Sequence, residues 1–284
     1  MKKLVCLVVL TFFSFSCSKS DENETQVNVI DPTKLVKVIF FPGALNERHW
    51  NFNDNGLLKE ITELDGTILQ SFVYDTNNNL VNNTIHDIEY SEYPIINNFT
   101  YDSNNYIISY NGQKVTYNAL LNSYTIHNKD GFSLINTEIT LNDEQLIVNE
   151  KENYIEEVTY SVQGFKAHYI NENMGGYAHN GEGGTSYKYD NKINPLKQAL
   201  LPICRAMGIS NFGNATYKWA IGGYNSSNNV IFDDFDYFDK YEFIYEYNSN
   251  NQPLTCTSKI YSSGVLLRTT LTTFYYYQGD VIPN

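Results

Sequence analysis

The stretch Phe72-Val73-Tyr74-Asp75-Thr76-Asn77-Asn78-Asn79-Leu80 constrains this chain more than any other feature, because imperfect copies of it recur along most of the sequence. Two aromatics at alternate positions lead into an Asp, a polar turn follows, and an aliphatic residue restarts the chain. Copies centre on Asn53, Asp102, Asn118, Asn142, Asp190 and Asn248. An Asp or Asn at the first turn position can accept a hydrogen bond from the amide two residues on, and Asn or Gly three positions later tolerates positive φ. Phe72 and Tyr74 share one face of their strand, and Leu80 can pack against them across the turn. Tight turns at Asp65-Gly66, Asn111-Gly112 and Asp130-Gly131 fall between the long ones. Two alternating turn types, one per rim, are what an antiparallel meander requires.

The spacing predicts roughly nineteen strands, too many for a flat open sheet, which must curl, close or split into layers. The fold class is therefore all-β, an antiparallel meander of repeated β-hairpins forming a curved or partly closed sheet. The regularity breaks over about 171–240. Met174 to Gly184 holds too many glycines for a strand interior and reads as an exposed loop. Asn194-Pro195-Leu196 replaces the strand restart of its copy with a helix start. One short helical insertion is predicted near 195–207, strongest over Leu196–Leu201, limited by Pro202 and with Gly208 beyond its end. Strands are predicted again over Tyr217–Ile221 and Asn229–Phe232.

The pattern Tyr-Asp-x-Asn-Asn/Gly-x-Leu resembles the YD repeat of the RHS and teneurin-type shell proteins, whose successive hairpins build a curved β-wall. It is also similar to the YD-like repeats of uncharacterised Bacteroidota surface lipoproteins, which share the Asn-Pro-Leu variant. The Arg usual after the repeat's Gly is absent and the copies are irregularly spaced, so the resemblance implies a β-wall at a cell surface and no encapsulating shell.

The N-terminus points the same way. Lys2 and Lys3 precede an apolar run from Leu4 to Phe15, too short to span a membrane and of the length of a secretory leader. Ser16-Cys17 followed by Ser18-Lys19-Ser20-Asp21-Glu22 resembles a bacterial lipoprotein signal with a surface-export tag, with Ser14 where Leu is usual. The resemblance implies cleavage before Cys17, lipidation of Cys17 and anchoring in the outer membrane without a transmembrane helix. The expected organisation is a signal peptide at 1–16, an acylated Cys17 with a flexible tether over 17–33, and one β domain over 34–284.

Removing the leader, which holds two lysines and no acids, takes the formal charge from -13 to -15. That argues against nucleic acid and anionic lipid as partners, since both select basic faces. Glycans, envelope proteins and cations stay open. Cys204 and Cys256 can form a disulfide in an oxidising envelope or remain buried and free.

Few residues stand out as chemistry. Asp233, Asp234, Asp236 and Asp239 could gather oxygens around Ca²⁺, although their spacing fits no EF-hand and a solvated acidic strand edge explains them as well. Tyr177 and His179 lie in the Gly-rich stretch, which lacks the Lys-Ser/Thr ending of a phosphate loop. The five histidines show no metal-type spacing, and no Gly-x-Ser-x-Gly elbow occurs. No cofactor is expected. Most of the 42 Tyr, Phe and Trp must be core, with Trp50 and Trp219 as candidate exposed platforms for stacking on a sugar or anchoring a partner. The leading expectation is a surface lipoprotein that binds a glycan or an envelope protein, or scaffolds the envelope, without catalysis. The alternatives are a hydrolase with its site in 175–239 and a purely structural envelope protein.

Overall fold

A computed structural model describes residues 34–86, 93–127, 135–143, 146–154, 162–170, 173–179, 182–210, 226–235 and 239–277. Cys17 and its tether, the Asp130-Gly131 turn, the strand expected over Tyr217–Ile221, Trp219 and Asp236 lie outside them.

Among the described residues eighteen strands and one helix follow one another in sequence. The first nine strands are β1 (Leu35–Phe40), β2 (Arg48–Phe52), β3 (Leu58–Thr62), β4 (Ile68–Tyr74), β5 (Leu80–Ile85), β6 (Ile95–Tyr101), β7 (Ile107–Tyr110), β8 (Gln113–Asn118) and β9 (Ser123–His127). Next come β10 (Ile135–Leu141), β11 (Ile147–Tyr154), β12 (Val162–Ile170), β13 (Asn173–His179) and β14 (Glu182–Ile193). After the helix α1 (Leu196–Ser210) the chain ends with β15 (Asn228–Phe235), β16 (Asp239–Tyr247), β17 (Pro253–Ser262) and β18 (Val265–Tyr276). Each strand pairs antiparallel with its sequence neighbours, and β18 returns to β1 with Val38 opposite Phe274. The meander therefore closes on itself. Closure removes the free edges at which an open sheet would pair with other chains.

The repeat is a five-residue loop with fixed chemistry. At Asp75 the amide of residue 75 donates to the Asn79 carbonyl at 3.0 Å, and Asp75 Oδ1 accepts the amides of Asn77 and Asn79 at 2.8 and 2.9 Å. Asn53, Asp102 and Asn248 repeat the same pair of side-chain bonds to the residues two and four positions on. The fourth position is left-handed in every one of these loops, with φ of 75° at Gly56, 64° at Asn78, 65° at Asn105 and 60° at Asn251. Neighbouring loops are stitched along the rim, Asn55 Nδ2 donating to Asn78 Oδ1 at 3.0 Å and Asn79 Nδ2 to Asn105 Oδ1 at 2.9 Å. Asp75→Ala removes the acceptor of two loop amides and is expected to cost about 1–2 kcal/mol, read as a shift in the urea midpoint. Asp75→Asn should restore most of the loss, as Asn53 already does this work in its own copy.

The tyrosine ahead of the Asp has a role beyond packing. Tyr74 Oη donates to the Leu58 carbonyl at 2.6 Å, and Tyr101 Oη to the Leu80 carbonyl at 2.8 Å. Both acceptors are the first residue after the preceding five-residue loop, and Tyr276 reaches Pro253, in the same place, at 3.0 Å. Each hairpin is thus latched to the one before it. Burial pushes these phenols well above their ordinary pKa and keeps them as donors. Tyr74→Phe leaves a buried carbonyl unmet and should cost about 1–3 kcal/mol, read as a lowered midpoint in the same denaturation experiment.

Alternation sorts the two faces. Val38, Phe52, Phe72, Leu80, Phe99, Ile107, Val115, Ile126 and Ile139 point inward and are buried. Lys37, Glu60, Lys114, Glu138, Lys240, Glu242 and Lys259 occupy the opposite parity of their strands. A lipid-spanning barrel has an apolar outer band and a polar interior. This barrel has an apolar core, and its wall mixes those charged residues with outward Val73, Ile96, Ile108, Ile244 and Leu254, so no continuous apolar band surrounds it.

The helix is part of that core. Ala199, Leu200, Ile203, Cys204, Ala206 and Met207 are buried in the same cluster as the inward strand residues, and α1 packs against β5 and β7. The Asn194 side chain caps it, accepting the Leu196 amide at 3.0 Å, with Pro195 in the first turn, where its missing N–H costs nothing. The helix runs through Pro202 and on to Ser210, past the expected stop and through Gly208. A proline inside a helix costs about 3 kcal/mol, and six buried side chains around it outweigh that.

One further expectation changes, and of the two states open to the cysteines one is found. The stretch Met174–Gly184 is not a loop throughout: β13 pairs with β12 and β14, Gly176 opposite His168 and Ser186. Glycine weakens a strand by about 0.5–1 kcal/mol, and ladders on both sides of Gly176–His179 offset that with backbone bonds that need no side chain. Cys204 and Cys256 are both buried and free, with burial raising their thiols to about 12 and about 11.

Candidate functional site

The break in the repeat is where the polar side chains converge. The chain leaves the barrel wall at Asn194, forms α1, and returns at Ser226. Asn194 binds both ends together, its amide donating to the Ser227 carbonyl at 2.9 Å and its Nδ2 to the Ser226 carbonyl at 3.0 Å. Buried Lys197 donates to Ser227 Oγ at 2.9 Å.

Asp190, the repeat's Asp in this copy, does more than turn the chain. Its Oδ1 accepts the amides of Lys192 at 2.9 Å and Asn229 at 3.2 Å. Its Oδ2 accepts Asn229 Nδ2 at 3.3 Å and the Tyr247 hydroxyl. Burial, then the bond to Asp190, raises the Tyr247 phenol, so it stays the donor in this pair. Asp190 thereby clasps β14, β15 and β16 at the point where a helix has replaced a hairpin. The sequence marked Asp190 and Tyr247 as repeat positions. Their convergence over 57 residues had no local signal.

The residues singled out by sequence fall in different places. Trp50 is not an exposed platform: it lies half-buried against the core, its ring 4.8 Å from that of Phe40. It shares strand parity with inward Phe52, which turns it toward the interior. Tyr177 and His179 lie on β13, whose backbone pairs them with Ala167 and Phe165 across the ladder to β12.

Asp233 and Asp234 are consecutive residues of β15 and point to opposite faces, so the two cannot grip one ion together. Asp239 opens β16, opposite Phe235 and Ser262. Among the described residues no group of three His, Cys, Asp or Glu side chains could hold a metal ion.

Asp233 is the unusual member. It is buried on the inner face, and burial, with the nearby charge of Asp234, raises its carboxyl from the ordinary value to about 7. Glu47 shows the contrasting case, its carboxylate met by His49 and by the Gly43 amide and held below the ordinary value by those bonds.

These features define a closed antiparallel β-barrel with a helix in its apolar core and charged residues along its outer wall. No family model matches the sequence, and no curated protein matches it. Among solved structures the chain is similar to a porin-like protein from Bacteroides uniformis, at 10% identity over 87% of this chain and 99% of that one, with a TM-score of 0.34. It is also similar to a porin-like protein from Bacteroides vulgatus, at 10% identity over 66% of this chain and 95% of that one, with a TM-score of 0.25. Both scores are below 0.5, too low for the folds to be equated.

Proposed function

We propose that the chain is a surface-tethered lipoprotein of the outer membrane whose β-barrel stands in water and acts as a binding or scaffold module for an envelope protein. The observation that carries this reading is the apolar interior combined with Lys and Glu spread among the outward positions of the wall. Such a wall does not insert in lipid, so attachment falls to the lipid on Cys17 and the polar linker behind it. The hairpin tip of β17 and β18 favours a protein over a glycan as partner: Val265, Leu266 and Leu267 are 63%, 49% and 65% exposed in a row. Aliphatic side chains so presented suit an apolar patch on a protein, whereas sugar stacking needs an aromatic face.

Two measurements test the reading. Cys17→Ser should move the protein from the membrane to the soluble fraction and abolish incorporation of labelled palmitate. Recovery of the variant in the membrane fraction would exclude the lipid tether. A chain beginning at Asp31, used as bait on solubilised envelope, should capture a defined partner, and Leu266→Glu with Leu267→Glu should abolish that capture while leaving the fold intact by circular dichroism. Saturable binding on a glycan array with no protein captured would overturn the choice of partner.

A further inference from the structure

Asp233 is 9% exposed, and its Oδ1 has no hydrogen-bond partner. A buried acceptor left unmet in a folded protein calls for an explanation, and a bound ligand is one. Its neighbours indicate which. The ladder sets Asp233 directly opposite Tyr187 on β14 and Tyr241 on β16, so the three side chains share the inner face. Tyr189 follows on the same face, its ring 6.3 Å from that of Tyr187, and Phe243 stacks 6.5 Å from Tyr241.

Four charged residues of these strands have the other parity, while Asp239, at the start of β16, has the parity of Tyr241. Lys188, Asp234, Lys240 and Glu242 face outward, and Lys188 already sits 4.9 Å over the Phe232 ring. Asp233 is thus an acidic group in an aromatic row with no cation of its own strands on its face. It lies two residues from the end of β15, at the rim opposite the one where α1 enters.

We propose that Asp233, Tyr187 and Tyr241 form an inward-facing site for a small organic ammonium ion. The carboxylate supplies the counter-charge, and tyrosine faces attract alkylammonium groups without directional donors. A hard metal ion fits poorly, because Ca²⁺ takes six to eight oxygens and among the described residues no group of three His, Cys, Asp or Glu side chains gathers. The acidic chain, with a formal charge of -13, raises the local concentration of any cation. This site is independent of what the outer wall binds, so either proposal can fail alone.

The test is calorimetric titration of the full chain with n-butylammonium chloride at pH 8.5, in a background of KCl. Saturable binding to one site is expected, weakened about tenfold or more by Asp233→Asn, which removes the charge and keeps the shape. Tyr241→Phe should retain binding, since the ring face is kept, and Tyr241→Leu should weaken it several-fold. Where Tyr241→Leu fails to fold, the Asn and Phe variants, checked by circular dichroism, decide alone. Equal affinity in wild type and Asp233→Asn, displacement by equimolar K⁺ or Ca²⁺, or absence of saturation would each overturn the proposal.

Discussion

Leu80→Ala is expected to destabilise the protein by about 3–5 kcal/mol, the largest loss from any single truncation argued from this fold. Leu80 is fully buried and stands opposite Tyr74 in the ladder. It is also the first residue after the Asp75 loop, and its carbonyl receives the Tyr101 hydroxyl. Removing the Cγ methine and both δ-methyls opens a cavity at the seam between two hairpins and the inner helix, which packs on the same strand. The surroundings are locked by loop and latch bonds on both sides, so they relax little, which places the cost toward the upper end of the range. Urea unfolding should show a lowered midpoint with an unchanged slope. Leu254→Ala supplies the contrast, because Leu254 holds the same chemistry at the outward position of β17, 39% exposed, and should change stability by about 0.5 kcal/mol or less. A cost below about 1 kcal/mol for Leu80→Ala would mean that the barrel interior is not close-packed there.

What could be read ahead of the structure divides by range of interaction. The long turns were legible because their chemistry is local: Asp75 bonds to amides two and four residues away, and Asn78 carries its own left-handed preference. The inward turn of Trp50 is also legible, since it shares strand parity with Phe52. The glycine-rich hairpin was misjudged because propensity counts what a residue gives up locally, and the ladder of β12, β13 and β14 is a property of three segments. Closure of β18 onto β1 spans the whole domain, so no window of sequence carries it. The helix start was visible at Asn194-Pro195. Its continuation past Pro202 was not, because the burial that sustains it comes from the distant strands β5 and β7. The Asp190 clasp and the isolation of Asp233 also depend on which strands become neighbours.

Asp233 should make stability depend on pH in a direction opposite to an ordinary salt-bridged carboxylate. Its folded pKa of about 7 lies above the unfolded value near 3.9. Between those limits the unfolded chain releases a proton that the folded chain keeps, so the unfolded state gains stability with every step up in pH. The folded state is therefore penalised as pH rises from about 4 through 7, by a total on the order of 4 kcal/mol, and the penalty is absent below about pH 4. Glu47, held below its ordinary value, works the other way and gives stability above pH 4.5 that is lost on acidification. A single stability curve would mix the two, and the difference between wild type and Asp233→Asn separates them, because Glu47 is common to both. The amide leaves its own buried polar group poorly met, a fixed offset that does not vary with pH. The difference should thus change steadily in favour of Asp233→Asn between pH 4 and pH 7.5 and level off beyond, read by urea midpoints at five or more pH values in buffers free of organic amines. A difference that is flat across that window would mean that Asp233 ionises in the barrel as freely as in water. The same series repeated with butylammonium chloride should shrink the slope for the wild type alone, since an ion bound to the carboxylate favours the charged folded form.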